Sequence, residues 1–256
     1  VASGEYVAFL DHDDILEPDA LYEAANRIVN YGADMVYTDE DKVSPDLKRY
    51  FKPYRKPDYN KTLLLSNNYI CHFCVINRKI VTEAAGFRSE YDGAQDHDLF
   101  LRLVDAMQAK DTNAAPLHIP QVLYYWRVHA ASTSGGTEAK PYVVKAAQKA
   151  VADHLAATGR SGRVEEGIFP GTCHVQWELP EPEPLVSILI PNKDHVDDLE
   201  KCLFSLYSKT LYEAFEVIVI ENNSTDPATK AYYEKLPDRY ANCRVVAYSG
   251  GSNFSR

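Results

Sequence analysis

The 256-residue sequence lacks any apolar run approaching the roughly 20 residues that cross a bilayer. Its longest are stretches such as Leu185 to Ile190, so a chain that does not span a membrane is expected. The first residues run straight into an acidic segment, so a chain without a signal peptide is expected. Cysteine is scarce and odd in number, with Cys71, Cys74, Cys173, Cys202 and Cys243. Five thiols fit a reducing compartment better than a disulfide framework, and a cytosolic protein is expected. Positive charge is in deficit, with 27 Lys and Arg against 37 Asp and Glu for a net −10. That balance argues against nonspecific nucleic-acid binding and suits a protein that gathers carboxylates around a cation. At 45% hydrophobic, 25% charged and 11% aromatic, the chain is neither disordered nor fibrous. No methionine opens it, an apolar run from Gly4 to Leu10 starts without preparation, and residues 250–256 are expected to be a loop leading nowhere. The expectation is a piece of a longer protein.

Between those ends, strand and helix patterns alternate. A strand at Tyr6 to Leu10 precedes a helix at Pro18 to Asn30, with Leu21, Ala24, Ala25 and Ile28 at helical spacing, and a short strand at Asp34 to Tyr37. Further on, a strand is expected at Tyr69 to Asn77, a helix at Asp96 to Ala109, a strand at Gln121 to Val128 and an amphipathic helix at Pro141 to Ala157. The glycine-rich, charged stretch after Gly159 and the proline-acid segment Glu178 to Pro184 mark a linker over 159–184. Beyond it, strands at Leu185 to Pro191, Phe215 to Glu221 and Arg244 to Tyr248 alternate with helices at Val196 to Ser208 and Pro227 to Leu236. Continuous apolar strands joined by helices predict an α/β fold, mostly parallel, with helices on both faces.

The chemistry enters where the first strand ends. Asp11-His12-Asp13-Asp14 places three carboxylates within four residues at the carboxyl end of a buried strand, where open α/β sheets bind ligands. Such crowding calls for a neutralising cation, and hard oxygen donors select Mg²⁺ or Mn²⁺. A single one of these acids would be better read as a cap for the helix near Pro18. In Asp92-Gly93-Ala94-Gln95-Asp96-His97-Asp98, Asp98 is assigned to capping the following helix, and Asp96, behind a glycine-bearing loop, is a candidate general base. Trp126-Arg127-Val128-His129 closes a strand with a fixed positive charge able to clamp phosphate oxygens and an imidazole able to ligate a metal. Taken singly, Arg127 and His129 are read as a surface arginine and a structural histidine.

In this order and spacing, the three groups resemble the family 2 glycosyltransferases of the GT-A (nucleotide-diphospho-sugar transferase) fold. Gly4 to Asp14 resembles that family's strand and D-x-D motif. Gln95-Asp96-His97-Asp98-Leu99-Phe100-Leu101-Arg102 resembles its E-D-x-D-L-x-x-R, with Gln95 departing from the usual Glu. Arg127-x-His129 followed by Ser132-Thr133 resembles its R-x-H-x-x-S-T. Thr38-Asp39-Glu40-Asp41-Lys42 resembles the S-D-E-D-K of tandem-domain members that build bacterial surface polysaccharides such as rhamnans and O-antigens. The resemblance then starts afresh: Pro184 to Asp194 is similar to the family's opening strand, and Phe215 to Asp226 to its second strand and V-D-D-G-S-T-D loop. Glu221 and Asn222 depart from the usual acids there.

Residues 1–158 are therefore expected to be the acceptor-side and D-x-D half of one transferase domain, and 185–256 the nucleotide-binding half of the next. The resemblance implies metal-dependent, inverting transfer of a sugar from a nucleotide-diphospho-sugar to a growing cell-surface polysaccharide. It implies Asp13, Asp11 and His129 on Mg²⁺ or Mn²⁺, and Asp96 as base. Asp11, Arg127, Asp194, Glu221 and Asn222 are implied as donor contacts. The implied partners are the donor and a glycan or lipid-linked glycan acceptor, at the inner face of the plasma membrane. The rival readings are a noncatalytic carbohydrate-binding or scaffolding module and a nucleotide-sugar hydrolase.

Other features take plainer readings. Cys71-His72-Phe73-Cys74 is expected to be two ordinary thiols on a half-buried strand. Tyr124, Tyr125 and Trp126 suit either core packing or sugar stacking. The basic stretch Lys48 to Lys56 is read as a solvated loop, ahead of an approach to a phosphorylated lipid carrier. Lastly, the strands Tyr6 to Leu10 and Val186 to Ile190 are expected to pair in one permuted sheet, because each otherwise leaves a long apolar edge open.

Overall fold

The computed structural model describes residues 2–128 and 141–251. The chain divides into two units, Val1–Glu178 and Leu179–Arg256. In the first, the elements run β1 (Tyr6–Ala8), β2 (Ile15–Leu16), α1 (Ala20–Tyr31), β3 (Met35–Val43), β4 (Tyr50–Tyr54), α2 (Lys61–Ser66), β5 (Cys74–Asn77) and α3 (Arg78–Glu83). They continue with α4 (Gln95–Gln108), β6 (Leu117–Arg127), α5 (Pro141–Ala157), β7 (Gly162–Glu166) and β8 (Cys173–Trp177).

The main sheet has the order β1-β5-β3-β6-β2, with β4 also on β3. Its central strands are apolar on both sides, and each side is covered. Met35, Tyr37, Cys74 and Ile76 point into one core with Leu99, Leu103 and Val151 from α4 and α5. Val36, Val75, Ile119 and Leu123 point into another with Ala20 and Ala24 of α1. Alternate residues of one strand thus serve opposite cores, which is why an unbroken apolar run is stable there. α1 stops at Gly32, whose φ of 64° lets its N–H return to the Ile28 carbonyl at 2.8 Å.

The topology departs from expectation in three places. Only β3 and β6 pair in parallel in this sheet; β1 with β5, β5 with β3, β3 with β4 and β2 with β6 are antiparallel. The expected linker over 159–184 carries the β7–β8 hairpin, whose Cys173, Val164 and Val175 join the larger core, so the division between units falls at the proline-acid segment alone. β1 takes β5 as its neighbour, matching Tyr6 to Asn77 and Ala8 to Val75, and shares no sheet with Val186 to Ile190. The expected pairing of those two strands is therefore incorrect: β1 is three residues long, too short to present the long apolar edge that called for a partner, and it ends its sheet beside β5 while the strand Val186–Asn192 ends another.

In the second unit, β9 (Val186–Asn192), α6 (Val196–Lys209), β10 (Phe215–Glu221), α7 (Pro227–Arg239) and β11 (Cys243–Ala247) form a parallel sheet of order β11-β10-β9. Leu199, Leu203, Tyr233 and Leu236 of the two helices pack on Val217 and Val219. Both helices lie on that one face, whereas Leu189 and Val246 on the other are 58% and 40% exposed. No helix among the described residues is long and apolar enough to cross a membrane.

Candidate active site

The turn after β1 is held by the end of β6. Asp14 N–H returns to the Asp11 carbonyl at 3.1 Å, and β2 pairs Ile15 and Leu16 with Tyr125 and Tyr124. Across that pairing, the Asp14 carboxylate accepts from the Tyr124 hydroxyl and from the Arg127 N–H at 2.9 Å. Arg127 Nε donates to the Asp13 carbonyl at 2.6 Å, and the Tyr125 hydroxyl donates to Glu17. Tyr124 and Tyr125 thus anchor the acidic turn. Asp14 is structural, though not as a helix cap: burial raises its pKa above the ordinary value against the two hydrogen bonds that lower it. Asp11 points outward, its side chain 63% exposed.

Asp11 and Asp96 line one cleft of about 660 Å³ together with Phe9, Phe87, Asp92 and Gly93. Asp96 sits in the first turn of α4, and burial, reinforced by the Asp11 carboxylate and opposed by His72, raises its pKa. A carboxyl shifted in that direction is a better proton acceptor at neutral pH than an ordinary one. Gly93 shapes the approach: its φ is 96°, and a Cβ there would lie 2.8 Å from the Tyr142 ring. The neighbouring acid has another task. Asp98 does not cap α4, whose N-cap is Ala94; its buried carboxylate pairs with Arg88 and Arg102. Burial alone would raise the pKa of Asp98, but the two guanidiniums outweigh it and lower it. His97 faces the core, donating to the Leu64 carbonyl at 2.6 Å, with burial holding its pKa at about 4.

Behind the cleft lies a buried charge network that sequence reasoning missed. Lys56, expected in a solvated loop, has a fully buried ammonium donating to Glu40 Oε2 at 3.1 Å and to the Ile70 carbonyl at 3.0 Å. The stretch before it forms β4. Asp39 accepts from the Lys56 N–H and from His118 Nε2, both at 2.9 Å, and from Arg55 at 3.1 Å. Those bonds outweigh burial and lower its pKa. The Glu40 carboxylate also accepts from the His72 N–H. His72 stacks on Tyr124 with ring centroids 4.9 Å apart, and its Nε2 stands 3.8 Å from Asp11. The acidic run Asp39 to Asp41 was visible in sequence; its partner Lys56 and the placement of His72 had no local signal.

The expected donor contacts of the second unit lie at the carboxyl ends of β9 and β10, and their polar atoms are engaged within the loops. Asp194 accepts from the Thr225 and Asp226 N–H groups, both at 2.8 Å, and from the Thr225 hydroxyl at 3.2 Å. The Asp226 and Thr225 amides hold its pKa low. Glu221 accepts from the Ser224 N–H, and Asn222 Nδ2 donates to the Gly250 carbonyl at 3.1 Å. Asp226 caps α7 through the Ala228 and Thr229 amides. His129, Ser132 and Thr133 lie outside the described residues.

The profile of glycosyl transferase family 2 matches residues 1–84, the segment that carries β1 and the acidic turn. Those residues belong to glycosyl transferase family 2. Over the whole chain it is 37% identical to uncharacterized protein y4gI of Sinorhizobium fredii, covering 28% of that protein. Over 92% of the chain it is 35% identical to the O-antigen biosynthesis protein RfbC of Myxococcus xanthus, covering 18% of it. Over 52% of the chain it is 28% identical to a hyaluronan synthase of Pasteurella multocida, covering 13% of it. The chain thus spans less than a third of these relatives. The mixed sheet with helices on both faces in the first unit is the GT-A architecture of family 2 glycosyltransferases.

For a divalent cation of the kind this family often uses, the Asp11 and Asp13 carboxylates are hard oxygen donors on one tight turn, with side chains 63% and 26% exposed. That chemistry fits Mg²⁺ or Mn²⁺.

Proposed function

We propose that the protein transfers a sugar, with inversion, from a nucleotide-diphospho-sugar to a hydroxyl of a growing cell-surface polysaccharide. The observation that carries this reading is the convergence of Asp11, from the turn after β1, and Asp96, from α4, on one cleft. The relatives named for O-antigen and hyaluronan synthesis support the polysaccharide class.

Asp11 and Asp13 would hold Mg²⁺ or Mn²⁺, which compensates the charge of the departing nucleoside diphosphate. Arg127 holds the turn in shape through the Asp13 carbonyl and adds a fixed positive charge there. Asp96 accepts the proton of the acceptor hydroxyl as that oxygen attacks the anomeric carbon opposite the leaving group. Desolvation, which raises the pKa of Asp96, is what prepares it for that proton. Phe87, 46% exposed at the cleft, offers a face for an acceptor ring. His129 is a further ligand in this reading. In the second unit, Asp194, Glu221 and Asn222 shape the loops that would receive the nucleotide of a second, tandem domain. The acceptor is a glycan or lipid-linked glycan presented at the cytoplasmic face of the plasma membrane.

The test combines calorimetry and product analysis on the protein. Nucleoside diphosphate should bind in the presence of Mn²⁺ and weaken strongly on chelation, and a panel of nucleotide sugars should yield glycan product only with an acceptor. Sugar release without acceptor would mark a hydrolase, and binding of glycan without any turnover a scaffolding module. Turnover unaffected by excess chelator would overturn the role given to Asp11 and Asp13.

A further inference from the structure

We propose that Cys71, His72 and Asp96 form a site for a thiophilic divalent cation, of which Zn²⁺ is the common example, with a donor set of its own beside the Asp11 carboxylate, which stands 3.8 Å from His72 Nε2. Filling it silences transfer by taking the Asp96 carboxylate; this consequence rests on Asp96 being the base.

The three side chains each offer one donor atom, and those atoms lie within 4.8 Å of one another. Cys71 Sγ is 3.5 Å from both ring nitrogens of His72. A tetrahedral zinc with one sulfur, one nitrogen and one oxygen ligand needs bonds of about 2.0–2.3 Å, so its donors stand well under 4 Å apart. Small side-chain shifts close that gap. Three protein ligands leave the fourth position to water, the arrangement of open zinc sites. Thiolate and imidazole discriminate against Mg²⁺ and Mn²⁺, so the two cation preferences at this cleft do not compete for one set of donors.

The surroundings restrict the donors. His72 is sandwiched by a stacked Tyr124 and the edge of Trp126 at 5.6 Å, and Glu40 Oε2 lies 4.0 Å from His72 Nδ1. Glu40 also accepts from the His72 N–H while the buried Lys56 ammonium bonds both Glu40 and the His72 carbonyl. Glu40 and Lys56 thus pin the backbone that presents the imidazole, a positioning task of the kind outer-shell groups perform at metal centres. Asp96 lines the cleft, and Cys71 and His72 are each partly exposed.

The C-x-x-C spacing plays no part in this arrangement. Cys74 is buried in the core at the start of β5, whereas Cys71 is partly exposed beside His72. Binding forms a metal–sulfur bond with loss of the Cys71 thiol proton to solvent, while His72 ligates through a neutral nitrogen and Asp96 through its carboxylate.

Co²⁺ is the spectroscopic probe, added to the protein in excess Mg²⁺. One equivalent should produce a sulfur-to-cobalt charge-transfer band that Zn²⁺ displaces. The band should vanish in Cys71→Ser, persist in Cys202→Ser and Cys74→Ala, and demand much more Co²⁺ in His72→Ala. The expected loss exceeds the roughly 10–100-fold that removal of an outer-shell partner costs. Absence of a sulfur band, or a band that survives Cys71→Ser, overturns the site. With the band present, Zn²⁺ at one equivalent should abolish turnover and a chelator should restore it. Full turnover on the zinc-loaded protein would leave the site standing and remove Asp96 from the role of base.

Discussion

The two units put carboxylates at strand ends and helix starts and use them in opposite ways. In the second, Asp194 and Asp226 are surrounded by the amides of their own loops, and both have pKa values below the ordinary carboxylate range. In the first, Asp14 and Asp98 are bound to groups from other elements, and Asp11 and Asp96 remain on a cleft. Asp96 and Asp194 are the same residue type shifted in opposite directions, one by desolvation and the other by hydrogen-bond donors. An acid at a strand end or a helix start is therefore chemical or structural according to how many donors face it, and its position in the element does not decide which.

The sharpest way to break this contrast is Asp96→Asn. Loss of a general base should lower the chemical rate by about 10²–10⁴-fold while donor affinity measured calorimetrically changes little. If affinity falls in step with rate, Asp96 is a binding residue. The next effect is on stability. Asp98→Ala leaves Arg88 and Arg102 without their shared buried acid, and urea unfolding should show a loss of about 3 kcal/mol. Asp11→Asn, at an exposed carboxylate, should stay within about 0.5 kcal/mol.

Acid titration sharpens the contrast further. The folded-state pKa values of Asp98 and Asp39 are depressed below 3.8, so their contributions are present above that value and lost as pH falls through the folded pKa. The denaturation midpoint should drop below about pH 4, less steeply in Asp98→Asn. Asp96 has the opposite sign. Its raised pKa makes its contribution complete below 3.8 and lost as pH rises through the folded value, so Asp96→Asn should raise the midpoint slightly at neutral pH. The smallest effect is local: Asp194→Ala should speed hydrogen exchange at the Thr225 and Asp226 amides and leave the protection of β3 and β6 unchanged.

Much of this architecture is legible from local pattern. The helices at Gln95–Gln108, Pro141–Ala157 and Val196–Lys209 and the strands at Val186–Asn192 and Phe215–Glu221 lie within a few residues of expectation, because amphipathic spacing and unbroken apolar runs act over neighbouring residues. The hairpin of β7 and β8 escaped notice for the converse reason: glycine and charge made it look like a linker, and only its contact with the core orders it. β4 and Lys56 escaped in the same way.

The sequence by itself determined the type of the longer helices and of the unbroken apolar strands, the acidic turn after β1 and the family of the first 84 residues. These rest on spacings of a few residues that any fold of the chain must respect. Only the tertiary structure decided that Asp14 is tied to Tyr124 across 110 residues and that Lys56 is buried against Glu40. It also put Asp11 and Asp96 on one cleft with His72 beside Asp11. Burial and charge partnership depend on which distant segments meet, and no window of local sequence contains both partners.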